Sequence, residues 1–287
     1  MLPALAAARN ADVTAIASRD PERARVMAGP ALVRSAYDEI LRDPEIDAVY
    51  VPLVNVSHRE WTMKALAAGK HVLCEKPLAI NELEAREMAK AQAASGRLLM
   101  EAMMYRFHPR IREVVDRLRA DPPSGVWISF GFPMEAPDNY RGVPELGGGA
   151  LSDVGCYCVS LARWIFGEPL ALRASARLDR VDREVEAELI FEGGRRANLL
   201  ASFDTGEMQE LRWPGGRLEQ PFTAWRDPWD PYQLMVEAFS EAVLRGDRVA
   251  PFPVEDSIAN LRVMDGLRRA MRRNPRQRNH LAEAGER

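Results

Sequence analysis

Two hydrophobic periodicities alternate along the first hundred residues. Short runs of β-branched or continuous apolar residues predict β-strands. These runs are VTAIAS (13–18), AVYVPL (48–53), HVLCE (71–75) and RLLMEA (97–102). Between them, helical spacing that ends in glycine predicts helices over 60–69 and 80–96. Strands and helices that alternate in this way predict right-handed strand–helix–strand units and a parallel sheet covered on both faces, which is a doubly wound α/β domain.

The pattern changes around residues 121–125 (DPPSG), and the second half of the chain predicts an α+β fold with a largely antiparallel sheet. Its predicted elements are a helix over 152–167, a hairpin over 185–203 with two glycines at the turn, and helices near 232–245 and 255–273. The polar tail after Arg273 is expected to be frayed. We infer domain limits of 1–103 for the parallel-sheet domain and 104–287 for the α+β domain.

Composition and charge favour a globular protein that acts on a small molecule. The 287 residues, of which 47% are hydrophobic and 28% charged, are enough for two cores. A net charge of -3 provides no basic field, so we expect neither nucleic acid nor an anionic membrane as a partner. No apolar run approaches the ~18 residues of a membrane helix, and the opening MLPALAAARN does not resemble a signal peptide, so we predict a cytoplasmic protein.

The three cysteines argue against a disulfide framework or a metal site. Cys74, Cys156 and Cys158 are odd in number and contain no CxxC pair. We therefore expect reduced, buried thiols and no bound metal.

Polar residues follow several of the predicted strands. Ligands bind parallel sheets outside the carboxyl ends of their strands. Lys76 lies at such an end, and Pro77 fixes the point where the strand stops, because proline cannot continue the ladder. Alternatively, Lys76 is a surface lysine whose ammonium lies in water. The other strand-end candidates are Ser18, Arg19, Asn55, His58 and Glu101.

Asp153 and Tyr157 form a second candidate pair in the predicted helix that follows three glycines. Their four-residue spacing places both side chains on one helical face. Tyrosine is a weak base at neutral pH, but a nearby ammonium such as that of Lys76 would favour the phenolate, so Tyr157 and Lys76 are a candidate acid/base pair. The alternative is that Asp153 is a first-turn charge favoured by the helix dipole and that Tyr157 is a core aromatic residue.

Several ordered segments resemble one protein family. They are DAVYVPLVNVSHREWTMKALAAGKHVLCEKPLA (47–79), MEAMMYRFHP (100–109), GGGALSDVGCY (147–157) and RWIFGEP (163–169). Together they resemble the Gfo/Idh/MocA family of NAD(P)-dependent oxidoreductases. The pattern is most similar to the branch of xylose dehydrogenases, anhydrofructose reductases and dimeric dihydrodiol dehydrogenases.

The resemblance implies roles for residues of both halves. Lys76 would reach the reacting oxygen of the substrate beside the nicotinamide, commonly from a cis Lys-Pro bond, and Glu75 would lie near the nicotinamide ribose. Tyr157 would be the catalytic residue, with Asp153 as its carboxylate neighbour. Asn55 and His58 match the turn that borders the nicotinamide, although His58 could instead cap a helix that starts near Ser57.

Cofactor preference depends on the end of the second strand of such a domain. An acidic residue there favours NAD, whereas an arginine accommodates the 2′-phosphate of NADP. Ser18 and Arg19 occupy that position and favour NADP, with NAD possible because Asp20 follows. Three further basic residues are candidates either for the substrate pocket and cofactor contacts or for ordinary solvated charges: Arg106, His108 and Arg141.

One expected element is missing from the sequence. A Rossmann-like domain opens with a strand and a G-x-G-x-x-G turn, whereas MLPALAAARN is typical of the latter part of the helix that follows them, so about 20 residues of the usual unit are missing. In the usual 3-2-1-4-5-6 strand order, this leaves a gap between the second and fourth strands. Either the true start lies upstream of Met1, or the chain is a truncated relative with impaired pyrophosphate binding.

The expected function follows from these patterns and the resemblance. We expect an enzyme that moves a hydride between NADP(H) and a secondary alcohol or carbonyl of a small sugar, polyol or dihydrodiol. We also expect a homodimer or homotetramer that associates through the C-terminal sheet. The alternative is a catalytically impaired family member that acts as a scaffold or a sugar-binding partner.

Overall fold

The computed structural model describes residues 1–29, 31–135, 139–222 and 228–273. The helices are α1 (Leu2–Ala7), α2 (Pro21–Ala28), α3 (Tyr37–Arg42), α4 (Asn55–Ala67), α5 (Glu82–Ser95), α6 (Pro109–Ala120), α7 (Cys156–Phe166), α8 (Pro231–Arg245) and α9 (Val254–Arg273). The strands are β1 (Ala15–Ala17), β2 (Leu32–Arg34), β3 (Ala48–Val51), β4 (His71–Cys74), β5 (Leu99–Glu101), β6 (Gly125–Gly131), β7 (Ala171–Leu178), β8 (Asp182–Ile190), β9 (Arg196–Ser202), β10 (Met208–Trp213) and β11 (Gly216–Glu219).

The chain divides into two compact units. The first comprises Met1–Ala120 and Gln220–Arg262, and the second comprises Asp121–Glu219 and the chain from Val263 onward. The boundary between the two domains that the sequence predicted, after residue 103, stays a prediction. The compact units have other boundaries, because residues 220–262 pack with residues 1–120 in the first unit. Helix α8, for example, packs against α1, and Arg9 pairs with Glu237 at 2.9 Å.

The first unit holds parallel strands in two separate sheets. Strand β1 pairs with β2, while β3, β4 and β5 form the other sheet in that order. All four residues of β4 are buried, as expected for a parallel strand covered on both faces. The predicted parallel architecture is confirmed, and the predicted interruption of the sheet agrees with the separation of β1-β2 from β3-β4-β5.

Local signals explain why α5 follows the turn after β4. The side chain of Asn81 accepts a hydrogen bond from the amide of Glu84 and so caps the first turn. Gly96 ends the helix in the left-handed conformation that favours glycine. Ala85 and Met88 are buried on its inner face. This helix follows the Lys76–Pro77 turn along the chain and packs against α4.

The second unit is built on a mixed sheet of order β11-β10-β6-β9-β8-β7. Every neighbouring pair is antiparallel except β6 and β9, which are parallel. The predicted hairpin is confirmed as β8 and β9, joined through a turn at Glu192–Gly194. Helix α7 packs against β6 and β9. The predicted α+β fold with a largely antiparallel sheet is therefore confirmed.

The predicted helix over 152–167 begins differently from an ordinary α-helix. Leu151–Gly155 forms a π-helical turn, and α7 follows it from Cys156. The carboxylate of Asp182 accepts a hydrogen bond from the amide of Leu151 at 2.6 Å, which supplies a partner for the amide at the start of this turn. The predicted frayed tail after Arg273 lies outside the described residues.

Candidate active site

The Lys76–Pro77 turn lies at the carboxyl end of β4. The amide of Glu75 still pairs with the carbonyl of Val51 at 3.1 Å, and the chain then leaves the sheet. The Lys76–Pro77 peptide bond is cis, as the resemblance implied. The side chain of Lys76 is half-buried. The ammonium is thus carried by a short turn directly after a buried strand.

Two buried side chains brace this turn. The Nδ1 atom of His58 lies 2.9 Å from the carbonyl oxygen of Pro77, and its Nε2 atom lies 2.9 Å from that of Leu53. The Oε1 atom of Glu101 accepts a hydrogen bond from the amide of Leu78 at 2.8 Å. Side chains from α4 and β5 therefore fix the backbone on the carboxyl side of Lys76.

His58 is a buried residue inside α4. The helix begins at Asn55 and its N-cap is Val54, so the expectation that His58 caps a helix starting near Ser57 is wrong. Burial lowers the pKa of His58, although the two nearby carbonyls oppose that effect. A neutral ring donates through one nitrogen at a time, to Pro77 or to Leu53. Asn55 is buried as well, at the first position of α4.

Glu75 is held by a residue that the sequence did not single out. The hydroxyl of Tyr50 donates to Glu75 Oε1 at 2.5 Å, and the amide of Lys76 donates to Glu75 Oε2 at 3.1 Å. Burial and the neighbouring Glu75 charge raise the pKa of Tyr50 well above its ordinary value, so its hydroxyl stays protonated and can donate. The only sequence signal for Tyr50 is a polar atom on an otherwise apolar strand.

Glu101 is almost entirely shielded from solvent, with 2% of its surface exposed. Burial raises its carboxyl pKa. The residue ends β5, where the sequence placed a strand-end candidate. Its contact with Leu78 gives it a positioning role at the Lys76 turn.

The end of β1 exposes Arg19. The hydroxyl of Ser18 accepts from the amide of Asp20 at 3.1 Å, and Asp20 Oδ1 accepts from the amide of Arg23 at 3.1 Å as the N-cap of α2. The carboxylate of Asp20 is thus engaged with its own helix. In the part of the chain that the structure describes, Arg19 makes no ion pair.

In the second unit, Asp153 pairs with Arg141. The Arg141 Nε atom donates to Asp153 Oδ2 at 2.7 Å, and the guanidinium lies 4.6 Å from the ring centroid of Tyr140. Burial is the largest influence on the pKa of Arg141 and lowers it, but the charge and hydrogen bond of Asp153, together with Tyr140 and Tyr157, raise it by more, so the net pKa is raised. Tyr157 is 4% exposed and packs on Phe130, with ring centroids 5.4 Å apart.

Asp182 supports this segment from β8. Burial raises its carboxyl pKa to about 6, while the hydrogen bond from the Leu151 amide opposes the rise. Because Leu151 begins the π-helical turn that contains Asp153, Asp182 fixes where that turn starts.

Two of the three basic candidates are buried. Arg106 is 9% exposed and its guanidinium lies 4.8 Å from the ring centroid of Phe252, and His108 is 4% exposed. The alternative that they are solvated charges is wrong, because the 3₁₀ turn Met104–Phe107 that precedes His108 is itself buried. Burial, followed by the charge of Arg110, lowers the pKa of His108.

Comparison with known proteins identifies the fold family. Residues 1–103 match the oxidoreductase family model with a NAD-binding Rossmann fold, and residues 108–215 match the GFO/IDH/MocA C-terminal domain. The chain is 35% identical to an uncharacterized oxidoreductase, ORF334, of Rhizobium meliloti, over 95% of this chain and 93% of that protein. The chain belongs to the Gfo/Idh/MocA family. It is an oxidoreductase whose first domain is an NAD(P)-binding Rossmann-type domain.

Other members of the Gfo/Idh/MocA family resemble it over nearly the whole chain. D-xylose 1-dehydrogenase (NADP(+)) 2 of Haloferax volcanii is 33% identical, over 93% of this chain and 91% of that protein. The crystal structure of KijD10, a 3-ketoreductase from Actinomadura kijaniata in complex with NADP and TDP-benzene, has a TM-score of 0.84 and 31% identity, covering 94% of this chain and 92% of that one. The similarity to both therefore spans both domains.

The residues present fit an NAD(P) cofactor at strand ends. Arg19 is exposed after β1, and Glu75 and Lys76 follow β4, where ligands of parallel sheets bind. The fit to NAD(P) therefore rests on Arg19 as the candidate for the ribose 2′-phosphate and on Glu75 and Lys76 as the candidates beside the nicotinamide.

The described residues contain no group of three or more His, Cys, Asp or Glu side chains arranged to hold a metal ion. No helix in the described ranges is long and apolar enough to cross a membrane. The three cysteines are free and buried, as the sequence predicted for reduced thiols.

Proposed function

We propose that this oxidoreductase prefers NADP and interconverts a secondary alcohol and a carbonyl on a small sugar, polyol or dihydrodiol. When bound, the nicotinamide supplies or accepts the hydride. The names of the relatives support the substrate class: a D-xylose dehydrogenase, and trans-1,2-dihydrobenzene-1,2-diol dehydrogenase of Xenopus laevis at 36% identity over 65% of this chain.

The observation that carries the proposal is the braced Lys76 turn. A half-buried ammonium at a strand end can donate to the reacting oxygen and stabilise negative charge there, as an oxyanion hole does. His58 and Glu101 hold the backbone after Lys76, so the ammonium starts from a fixed point. Preorganisation of this kind lowers the reorganisation needed during reaction.

Tyr157 is the proposed proton-exchanging residue. Its phenolate would take the proton from the substrate hydroxyl during oxidation, and its phenol would return a proton to the carbonyl oxygen during reduction. Arg141 already balances the charge of Asp153, so we assign to Asp153 the role of positioning Arg141 and the helix that carries Tyr157. Substrate hydroxyls are the proposed ligands of Arg141, Arg106 and His108.

Variants of the two catalytic candidates test this proposal. In NADP-dependent turnover over a panel of aldoses, polyols and dihydrodiols, we expect Lys76→Ala and Tyr157→Phe each to lower kcat by ~100-fold or more, the range for lost oxyanion donors and acid/base groups. Lys90→Ala, on the exposed face of α5, and Tyr37→Phe are the controls and should retain activity. Undiminished kcat in both catalytic variants would refute the assignment.

The preference for NADP is tested at Arg19. Loss of a charge-assisted contact to the 2′-phosphate weakens binding by ~10- to 100-fold, so Arg19→Ala should raise the KM for NADP by that factor with little change for NAD. Arg23→Ala, an exposed arginine on α2, is the matched control. An unchanged ratio of NADP to NAD efficiency in Arg19→Ala would contradict the preference.

A further inference from the structure

Gly149 joins Arg141 to Asp153 through its own peptide groups. Its amide donates to the carbonyl of Arg141 at 2.8 Å, and its carbonyl accepts from the amide of Asp153 at 3.0 Å. The side chains of Arg141 and Asp153 meet in their ion pair at 2.7 Å. Both members of the pair are therefore tied to one glycine, and a shift of Gly149 moves the two backbone segments that carry them.

The carboxylate of Asp182 fixes the position of Gly149. A Cβ atom on Gly149 would overlap Asp182 Oδ1, so this oxygen packs directly against the Gly149 backbone. The other oxygen, Oδ2, accepts a hydrogen bond from the amide of Leu151 at 2.6 Å. One carboxylate at the start of β8 thus holds the chain on both sides of Ala150.

The charged residue that acts on Asp182 is Arg268, from α9. Its Nη2 atom also donates to the hydroxyl of Ser152 at 3.1 Å, so it secures the residue after Leu151. Burial raises the pKa of Asp182 to about 6, and the Leu151 amide and the Arg268 charge oppose that rise. The carboxylate is therefore ionised at neutral pH and becomes protonated in mildly acidic solution.

Charged residues on the neighbouring elements have partners of their own. Strands β7 and β9 and the π-helical turn pack against β8. The ion pairs on and around these elements are Arg177 and Arg183 with Asp204, Arg141 with Asp153, and Arg268 with Asp265. Burial raises the pKa of Asp204, but its hydrogen bonds from Arg183 and Arg177 outweigh that effect, and the net pKa is lowered. We therefore assign a change of charge between mildly acidic and neutral pH to Asp182.

An ionised carboxylate accepts a stronger hydrogen bond from an amide than a neutral acid does. Protonation therefore weakens the contact that fixes the start of the π-helical turn. We propose that Asp182 is a positioning residue that, in its ionised form, sets the Arg141–Asp153 pair for binding substrate hydroxyls. The link runs through Gly149, and the part that concerns substrate rests on the proposed function.

Amide chemical shifts of the 287-residue chain test the link without substrate or cofactor. Over the range from about pH 4 to 8, we expect the amides of Leu151, Gly149 and Asp153 to titrate together, with a midpoint near the Asp182 pKa of about 6. These amides should not titrate in that range in Asp182→Asn, which keeps an acceptor oxygen and has no proton to lose. The amide of Gly167, beyond the far end of α7, is an internal reference.

Two results of this titration would overturn the proposal. One is a titration confined to Leu151 or absent from all three amides, and the other is a shared titration that persists in Asp182→Asn. If Asp182→Asn does not fold, the parent chain alone decides, because the three amides either titrate together or they do not.

The pH dependence of the substrate KM tests the consequence for binding. If only the ionised form binds, the competent fraction at pH 5 is about one tenth, so KM should rise ~10-fold from about pH 8 to pH 5. In Asp182→Asn, KM should be raised at both pH values and differ little between them. Asp179→Asn, an exposed aspartate in the turn before β8, is the matched control and should follow the parent chain. Equal pH dependence of KM in Asp182→Asn and the parent would overturn the proposal.

Urea unfolding separates this role from a loss of stability. Because the folded pKa of Asp182 is raised, its contribution to stability is present below the ordinary aspartate pKa and is lost as the pH rises through about 6. Acid should therefore weaken substrate binding while the urea midpoint of the parent rises relative to that of Asp182→Asn. A relative midpoint that falls in acid together with binding would indicate a merely structural role and overturn the proposal. Absence of turnover with every alcohol of the panel would refute the proposed function instead, and the amide titration would still decide the role of Asp182.

Discussion

At the residue scale, the Lys76 turn depends on side chains that are distant in sequence. His58 and Glu101 come from α4 and β5, and each contacts the backbone just after Lys76. Tyr50, from β3, holds Glu75. Buried polar groups of this kind are costly when they lose their partner, because the remaining donor or acceptor stays desolvated. The turn is therefore sensitive to changes that touch neither substrate nor cofactor.

Glu101 should make stability depend on pH. Its folded pKa is raised by burial, so its contribution to stability is fully present below the ordinary carboxyl pKa and is lost as the pH rises through the raised value. Glu101→Gln keeps an acceptor for the Leu78 amide and has no proton to lose. Over the range from about pH 4 to 8, we expect the variant to gain ~1 kcal/mol or more of stability relative to the parent chain.

Chemical denaturation at several pH values measures this difference. Glu113→Gln, an exposed carboxylate on α6, is the control and should follow the parent chain. A constant difference between Glu101→Gln and the parent at every pH would rule out a proton on Glu101 in the folded state.

The candidate site residues that could be predicted from the sequence are those marked by a pattern in the adjacent positions of the chain. Lys76 stands out because Pro77 ends a buried strand, and Asp153 with Tyr157 because of helical spacing. Arg141 was found only as a basic candidate, and its ion pair with Asp153 joins residues 12 apart. Tyr50 and Asp182 were missed, since their roles come from tertiary contacts that no local pattern encodes. The roles of all these residues in catalysis stay predictions.

At the element scale, long periodic segments were easier to predict than short ones. The apolar runs predicted β3 and β4. The helical spacing over 80–96 predicted both ends of α5 to within two residues. Strand β2 was missed because its three residues are exposed or half-buried, so it has no apolar pattern to detect. The π-helical turn was also missed, since it depends on Asp182 of β8.

Gly149 should be essential to the start of that turn. Its φ is +115°, and a Cβ atom at this position would overlap the carboxylate of Asp182. We expect Gly149→Ala to destabilise the protein by about 1 to 3 kcal/mol, through backbone strain and the displaced Asp182–Leu151 contact.

Thermal unfolding measures this loss, and Gly206→Ala is its matched control, because Gly206 is exposed and a Cβ atom there meets open space. The control should remain within about 0.5 kcal/mol of the parent chain. Equal stability of the two variants would show that the Gly149 conformation is not required.

At the scale of the whole molecule, the sequence predicted the order of the two folds and the interruption of the first sheet. The interruption follows from strand order alone, and the two separate parallel sheets confirm it. A homodimer or homotetramer and a cytoplasmic location stay predictions, because neither is encoded in the contacts of a single chain. The choice among sugar, polyol and dihydrodiol depends on pocket shape, which sequence periodicity does not specify.

The most direct test of the central claim follows the hydride itself. The protein is incubated with NADP and D-xylose that carries deuterium at C1, and the nicotinamide is analysed by mass spectrometry. The account predicts reduced nicotinamide that contains the deuterium, formed at a rate that falls ~100-fold or more in Tyr157→Phe. If D-xylose is not a substrate, the same measurement uses whichever alcohol from the panel is turned over, deuterated at its carbinol carbon. Reduced nicotinamide without deuterium, or no reduction with any alcohol of the panel, would contradict the claim.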